Sequence, residues 1–156
     1  MASNGVELLI QEWERSKQGA RDFIEAMPDE HVGFRPVPSV LSFAGQFLHI
    51  ADANYMFASV GCGIPNPNQG QKSEEKPELQ SKQAVLDFAT AGYDFVIGAL
   101  RNLDGKSMDE EVQFFKWTMP RHLVFSKALE HHAHHRGQTA VYFRLVGLKP
   151  PSERLF

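Results

Sequence analysis

Seven histidines stand in this chain, at positions 31, 49, 122, 131, 132, 134 and 135, and four of them fall within five consecutive residues. A composition of this kind yields such a window by chance on the order of 0.003 times, so the run 131–135 calls for an explanation. Neutral imidazole is a ligand for transition metals, and it is the side chain whose charge changes near neutral pH. A helix turns by about 100° per residue, so His131 and His135 lie within roughly 40° of each other. From there they can aim ring nitrogens at one point about 2 Å from each. Val124, Ala128, Tyr142 and Val146 share their sector, which predicts that the pair faces the interior of a helical bundle. His132 falls beside Phe125 and Phe143, and His134 toward Glu130 and Gly137.

A stable site needs a third ligand, and His49 is the candidate. Its sector holds Gly45, Ala53, Met56 and Val60, while Phe43, Phe47, Ile50 and Phe57 take another face. Gly45, one turn earlier, leaves room for a neighbouring helix or a substrate. Three neutral imidazoles do not compensate the charge of a divalent ion, so a water or thiol at an open position would lose its proton more readily. The set suits zinc or nickel, and also iron, cobalt or copper. Asp52 is placed to hydrogen-bond the His49 ring from behind, to act as a fourth ligand, or to remain a plain surface carboxylate. No general base is marked, with Asp52 and Tyr142 the nearest candidates, and the catalytic residues stay unassigned. Arg136 reads as one half of a salt bridge before an anion-binding group. Against all of this stands the plainer reading, in which the histidines are an ordinary solvated or structural set.

Helices must position these groups. Val6, Leu9, Ile10, Trp13, Ala20, Phe23, Ile24 and Met27 recur at helical spacing up to Pro28. Gly33, Pro36 and Pro38 make 29–39 a loop. A second helix begins after Ser39 or Ser42 and runs to about Ser59, followed by a long exposed crossover over 61–80. A third spans about 81–102, closed by Asp104-Gly105. The fourth starts near Thr118, with Pro120 in its first turn, and runs to about Val146 before Gly147. No strand or repeat stands out, so 1–156 reads as one all-α domain, a four-helix bundle.

Composition narrows the function. The chain is 156 residues long, 42% hydrophobic and 22% charged, with 12 Phe, which fits a packed core and excludes disorder. A net charge of -3, with no basic stripe, argues against nucleic acid and anionic membranes as partners. The single cysteine, Cys62, cannot form an internal disulfide, in keeping with a reducing, cytoplasmic setting. The first twenty residues lack a basic start and an apolar run, so secretion is not expected. No segment approaches a membrane span.

The segment from Glu130 through His131, His132, His134, His135, Arg136, Gly137 and Gln138, followed by Tyr142, Arg144, Leu145, Gly147 and Pro150-Pro151, resembles the closing helix of DinB/YfiT-like proteins. Phe34-Arg35-Pro36, Pro38-Ser39 and the stretch from Ser42 to His49-Ile50-Ala51 resemble the same family's approach to its first metal histidine. The resemblance implies an up-down-down-up four-helix bundle, often a homodimer, holding a divalent metal through His49, His131 and His135. Some members of that family are S-transferases or isomerases that use a low-molecular-weight thiol such as bacillithiol or mycothiol. No residue set for a thiol pocket carries over. His132 departs from the pattern, which often has Glu or another polar residue there, and is left as an alternative ligand or a hydrogen-bond partner. The expectation is a metal-dependent transferase or hydrolase acting on a small molecule. The alternative is a non-catalytic metal-binding or stress-response protein, or a dimerising module in which the histidines are incidental.

Overall fold

Two serines set where the middle helices begin. The Ser42 hydroxyl accepts the Gly45 N–H at 3.0 Å and the Ser81 hydroxyl that of Ala84 at 3.3 Å, each satisfying a donor that no helical carbonyl reaches. In this computed structural model, which describes residues 3–103 and 107–156, they open α2 (Phe43–Cys62) and α3 (Lys82–Arg101). Preceding them is α1 (Ser3–Ala26), which stops short of Pro28; α4 (Arg121–Leu145) closes the fold. α2 runs one turn past its expected end near Ser59, to Gly63, which caps it at φ 67. Asp104-Gly105, expected to close α3, lies outside the described residues.

Side-chain ladders give the helix directions. Glu14 meets Arg101, Lys17 meets Asp94 and Arg21 meets Thr90, so α1 and α3 are antiparallel. Trp13 packs on Phe125 and Phe23 on Phe143, so α1 and α4 run the same way. Gln46 bonds Tyr142 while Asn54 bonds His132, which makes α2 antiparallel to α4. The order is therefore up-down-down-up, and the long crossover is what lets the parallel pair α2 and α3 lie side by side. Trp13, Ile24, Phe43, Phe47, Phe125 and Phe143 are fully buried between the helices, each burial stabilising by about 1.5–3 kcal/mol. Phe43 and Phe47 thus belong to the core. No helix among the described residues is long and apolar enough to cross a membrane.

The expectation of no strand is corrected by a two-stranded antiparallel hairpin, β1 (Glu111–Phe114) and β2 (Trp117–Pro120), with Phe114 opposite Trp117. The fourth helix therefore starts at Arg121, and Pro120 precedes it instead of sitting in its first turn. Strands of four residues are too short for alternation to stand out. The turn also lacks its usual signal, because Phe115, at φ 53, occupies a position that Gly, Asn or Asp normally fills. That conformation costs a side-chain-bearing residue roughly 1–2 kcal/mol. Buried Arg121 ties the hairpin base to the end of α2, donating to the Gly61 carbonyl at 2.7 Å, to the Ser107 carbonyl and to Glu110 at 3.0 Å.

Candidate metal centre

Because α2 and α4 run antiparallel, His49 comes to lie across from the turn that carries His131 and His135. Ring centroids are 4.7 Å apart for His49 and His135, 5.2 Å for His49 and His131, and 4.4 Å for His131 and His135. One ligating nitrogen from each lies within 4.8 Å of the others. The three residues expected from spacing are thus brought together. A shared ion sits about 2.0–2.1 Å from each imidazole nitrogen. His131 Nε2 is buried without a hydrogen-bond partner among the described residues, a costly state for a polar atom unless something binds it.

His135 is held from behind. Its Nδ1 donates to Gln46 Oε1 at 2.6 Å. The Gln46 amide donates to Gln138 at 2.9 Å and to the Tyr142 oxygen at 3.0 Å, and the Tyr142 hydroxyl donates to the Leu41 carbonyl at 2.8 Å. Since the amide N–H groups are committed there, Gln46 presents its oxygen to the ring. That puts the proton on Nδ1 and leaves the His135 Nε2 lone pair toward the cluster, the arrangement that orients metal-binding histidines. Burial, reinforced by His49 and His134, pushes the His131 pKa down to about 4. Burial, reinforced by His131, His49 and His134, takes His135 to about 3. Both are neutral at pH 7, so neither must shed a proton to bind a cation.

The expected orientation is corrected in one respect. His131 and His135 are half-buried on the flank of α4 that faces α2, at the end of a cleft, and the residue at the bundle centre is His132, 1% exposed. The central stripe of α4 is Phe125, Ala128, His132, Thr139 and Phe143; Val124 and Tyr142, used to place the pair inside, are buried too, Tyr142 against Phe34 and Gln46. Tyr142, a candidate base, spends its hydroxyl on Leu41. Asp52 does not reach His49, because it accepts from the Ser73 N–H and hydroxyl, both at 2.7 Å, and from Asn68. It pins the crossover to α2. Arg136 has no carboxylate in salt-bridge range among the described residues and lies against Gly19 of α1. Exposed His134 contacts Gln138 at the surface.

Sequence reasoning missed two residues. Gln46, three positions before His49, was open to the same turning argument. Glu74 was not, for it sits in the crossover, in a single 3-10 turn (Ser73–Glu75) with no periodicity. Its Oε1 lies 3.9 Å from His49 Nδ1, its side chain is 17% exposed, and Oε2 is buried without a partner. The crossover packs over Gly45, where a Cβ would stand in ordinary contact with the Glu74 Cβ at 3.6 Å, so the space expected for a helix or substrate is taken by the crossover. From His49 and His131 a cleft of about 1050 Å³ runs between the crossover and the hairpin.

The profile of the DinB family matches residues 1–154. The uncharacterized protein YjoA of Bacillus subtilis (strain 168) is 23% identical over 130 residues, covering 81% of this chain and 80% of that protein. The crystal structure of a DinB-like protein from Bacillus cereus ATCC 10987 aligns with a TM-score of 0.74 at 20% identity, over 94% of this chain and 96% of that one. The structure of YjoA gives 0.70 at 19% identity, over 96% of each chain. At these identities the two structures are alike in fold.

Proposed function

This chain belongs to the DinB family, and from that premise we propose that His49, His131 and His135 hold a divalent transition metal, zinc or nickel first, that activates a thiol or water toward a small molecule. The observation that carries the reading is the meeting of the three rings, with a ligand atom from each inside 4.8 Å. The donor chemistry supports it, since two of the imidazoles are neutral at pH 7 and one has a buried nitrogen with no other partner. A bound divalent ion supplies Lewis acidity and lowers the pKa of a water or thiol beside it. The chain does the rest. Gln46 fixes the tautomer of His135, Glu74 places negative charge beside His49, and the cleft admits a substrate to the histidine end.

Elemental analysis of untagged protein tests this. Near-stoichiometric metal is expected in the parent, with loss in His49→Ala and His135→Ala and retention in His134→Ala. Equal retention in all three variants would remove the ligand set.

Glu74 favours a second reading, in which its carboxylate closes the site and the ion only stiffens the bundle. The visible spectrum of cobalt-loaded protein separates the two. An open site keeps its bands in Glu74→Gln and shifts them on adding a small thiol; a closed site changes in the variant and ignores the thiol.

A further inference from the structure

One wall of the cleft is more apolar and more aromatic than binding a small thiol or water requires. Phe57 and Phe114 stack with centroids 5.2 Å apart and planes 7° from parallel, and Phe57 reaches to 6.2 Å from the His131 ring. Successive rings therefore lead from the hairpin to the candidate metal centre, with Phe57 largely buried between them. Met56 and Val60 extend it. At its outer edge stand Phe115 and Trp117, which line the cleft yet are 65% and 54% exposed. Lys116 braces the Trp117 ring, with Nζ 4.8 Å from its centre.

Phe115 is poorly explained by stability. It holds a left-handed turn position at φ 53, where glycine is favoured, and its ring touches Phe114 edge-on at 4.9 Å while staying mostly in solvent. A residue that strains the backbone and buries little surface points to function. Glu74, whose Oε2 has no partner among the described residues, lies at the histidine end; away from that end the charge on the other wall is accounted for, since Lys72 pairs with Glu75 at 3.2 Å and Asp52 is taken up by Ser73 and Asn68. Along that stretch nothing awaits a counter-ion on the body of a ligand.

We propose that the cleft binds a flat, uncharged aromatic small molecule, clamped by Phe115 and Trp117 at the hairpin tip, with its reacting end toward His49 and His131. The assignment rests on the reading of that end as a metal centre for its chemistry, though not for its binding. The volume, about 1050 Å³, suits a drug-sized ligand of two or three rings.

The probe is N-phenyl-1-naphthylamine, titrated by fluorescence into protein as purified and after chelation. Saturable one-site binding is expected in both. Phe115→Gly should weaken it by about tenfold and Trp117→Ala by about fivefold, the loss of one aromatic contact each. Phe115→Gly should meanwhile leave Tm unchanged or raise it, because glycine relieves the turn. Leu145→Ala, an exposed apolar residue on α4, should change neither. The proposal is overturned if the parent does not bind the probe, or if Phe115→Gly keeps parental affinity. It is overturned equally if that variant loses binding together with Tm, which makes the ring a structural prop. Dissociation of a dimer in sedimentation, parallel to the loss of binding, would make the tip a subunit contact instead. Protein that carries no metal as purified, by elemental analysis, yet binds the probe would undo the metal reading and leave the clamp standing, so the two failures are separable.

Discussion

His131 and His132 are neighbours in sequence on one helix, and the structure gives them opposite surroundings. The His132 Nε2–H donates to Asn54 Oδ1 at 2.5 Å, and Nδ1 accepts from Ser16 at 3.1 Å with the Tyr93 hydroxyl at 3.4 Å; Trp13 and Tyr93 pack against the ring at 4.9 and 5.0 Å. Every polar atom of that imidazole is used. At the cluster, His131 Nε2 has no partner, His135 uses one nitrogen on Gln46, and His49 makes no hydrogen bond among the described residues. Burial alone does not separate a framework histidine from one able to bind something; the supply of hydrogen-bond partners does.

The contrast breaks most visibly at His132. Truncation to alanine strands Asn54, Ser16 and Tyr93 around a cavity and should cost about 4 kcal/mol in urea unfolding, with metal per folded molecule unchanged. A cost under about 1 kcal/mol would mean the network supports nothing. The mirror experiment is His131→Ala. Its metal affinity should fall more than about 100-fold, while metal-free stability changes by less than about 1 kcal/mol, because the lost nitrogen had no partner to strand. Gln46→Leu removes the group behind His135 together with its bonds to Gln138 and Tyr142, and competition of the folded variant with a chelator should show affinity lower by about tenfold.

Protonation sharpens the comparison further. His131 and His135 titrate at about 4 and 3 in the fold, against about 6.5 in an unfolded chain. Burial also holds His132 well below its ordinary value, with His131, Arg136 and His135 adding to the effect. Between those limits the unfolded chain binds more protons, so metal-free stability should be full above about pH 6.5 and decline as pH falls toward 4. His135→Gln should flatten that decline. The smallest effect is expected for exposed His134, where alanine should change neither stability nor metal content beyond error.

Much of this was legible in the sequence because helices convert spacing into direction. The stripe from Ile10 to Met27 and the convergence of His49 with His131 and His135 follow from a fixed turn per residue, and Ser42 was one of two serines able to cap the second helix. The same rule misjudged which histidine sits at the centre. On a helix covered from two sides, two sectors are apolar: position 132 points between α1 and α2, meeting Trp13, Ser16 and Asn54, while 131 lies against His49 and Phe57 of α2. Glu74 and the hairpin lay beyond such reasoning. The first is placed by a crossover without period, the second by four-residue strands and a phenylalanine where a turn asks for glycine.

X-ray absorption at the edge of the metal retained by untagged protein counts the imidazoles around the ion. Scattering is expected from three imidazoles with nitrogens about 2.0–2.1 Å from the ion, plus a light-atom ligand that a small thiol replaces with sulfur, and from two imidazoles in His131→Ala loaded with excess metal. An ion with fewer than three imidazoles in the parent, or a spectrum that His131→Ala leaves unchanged, would contradict the three-histidine site.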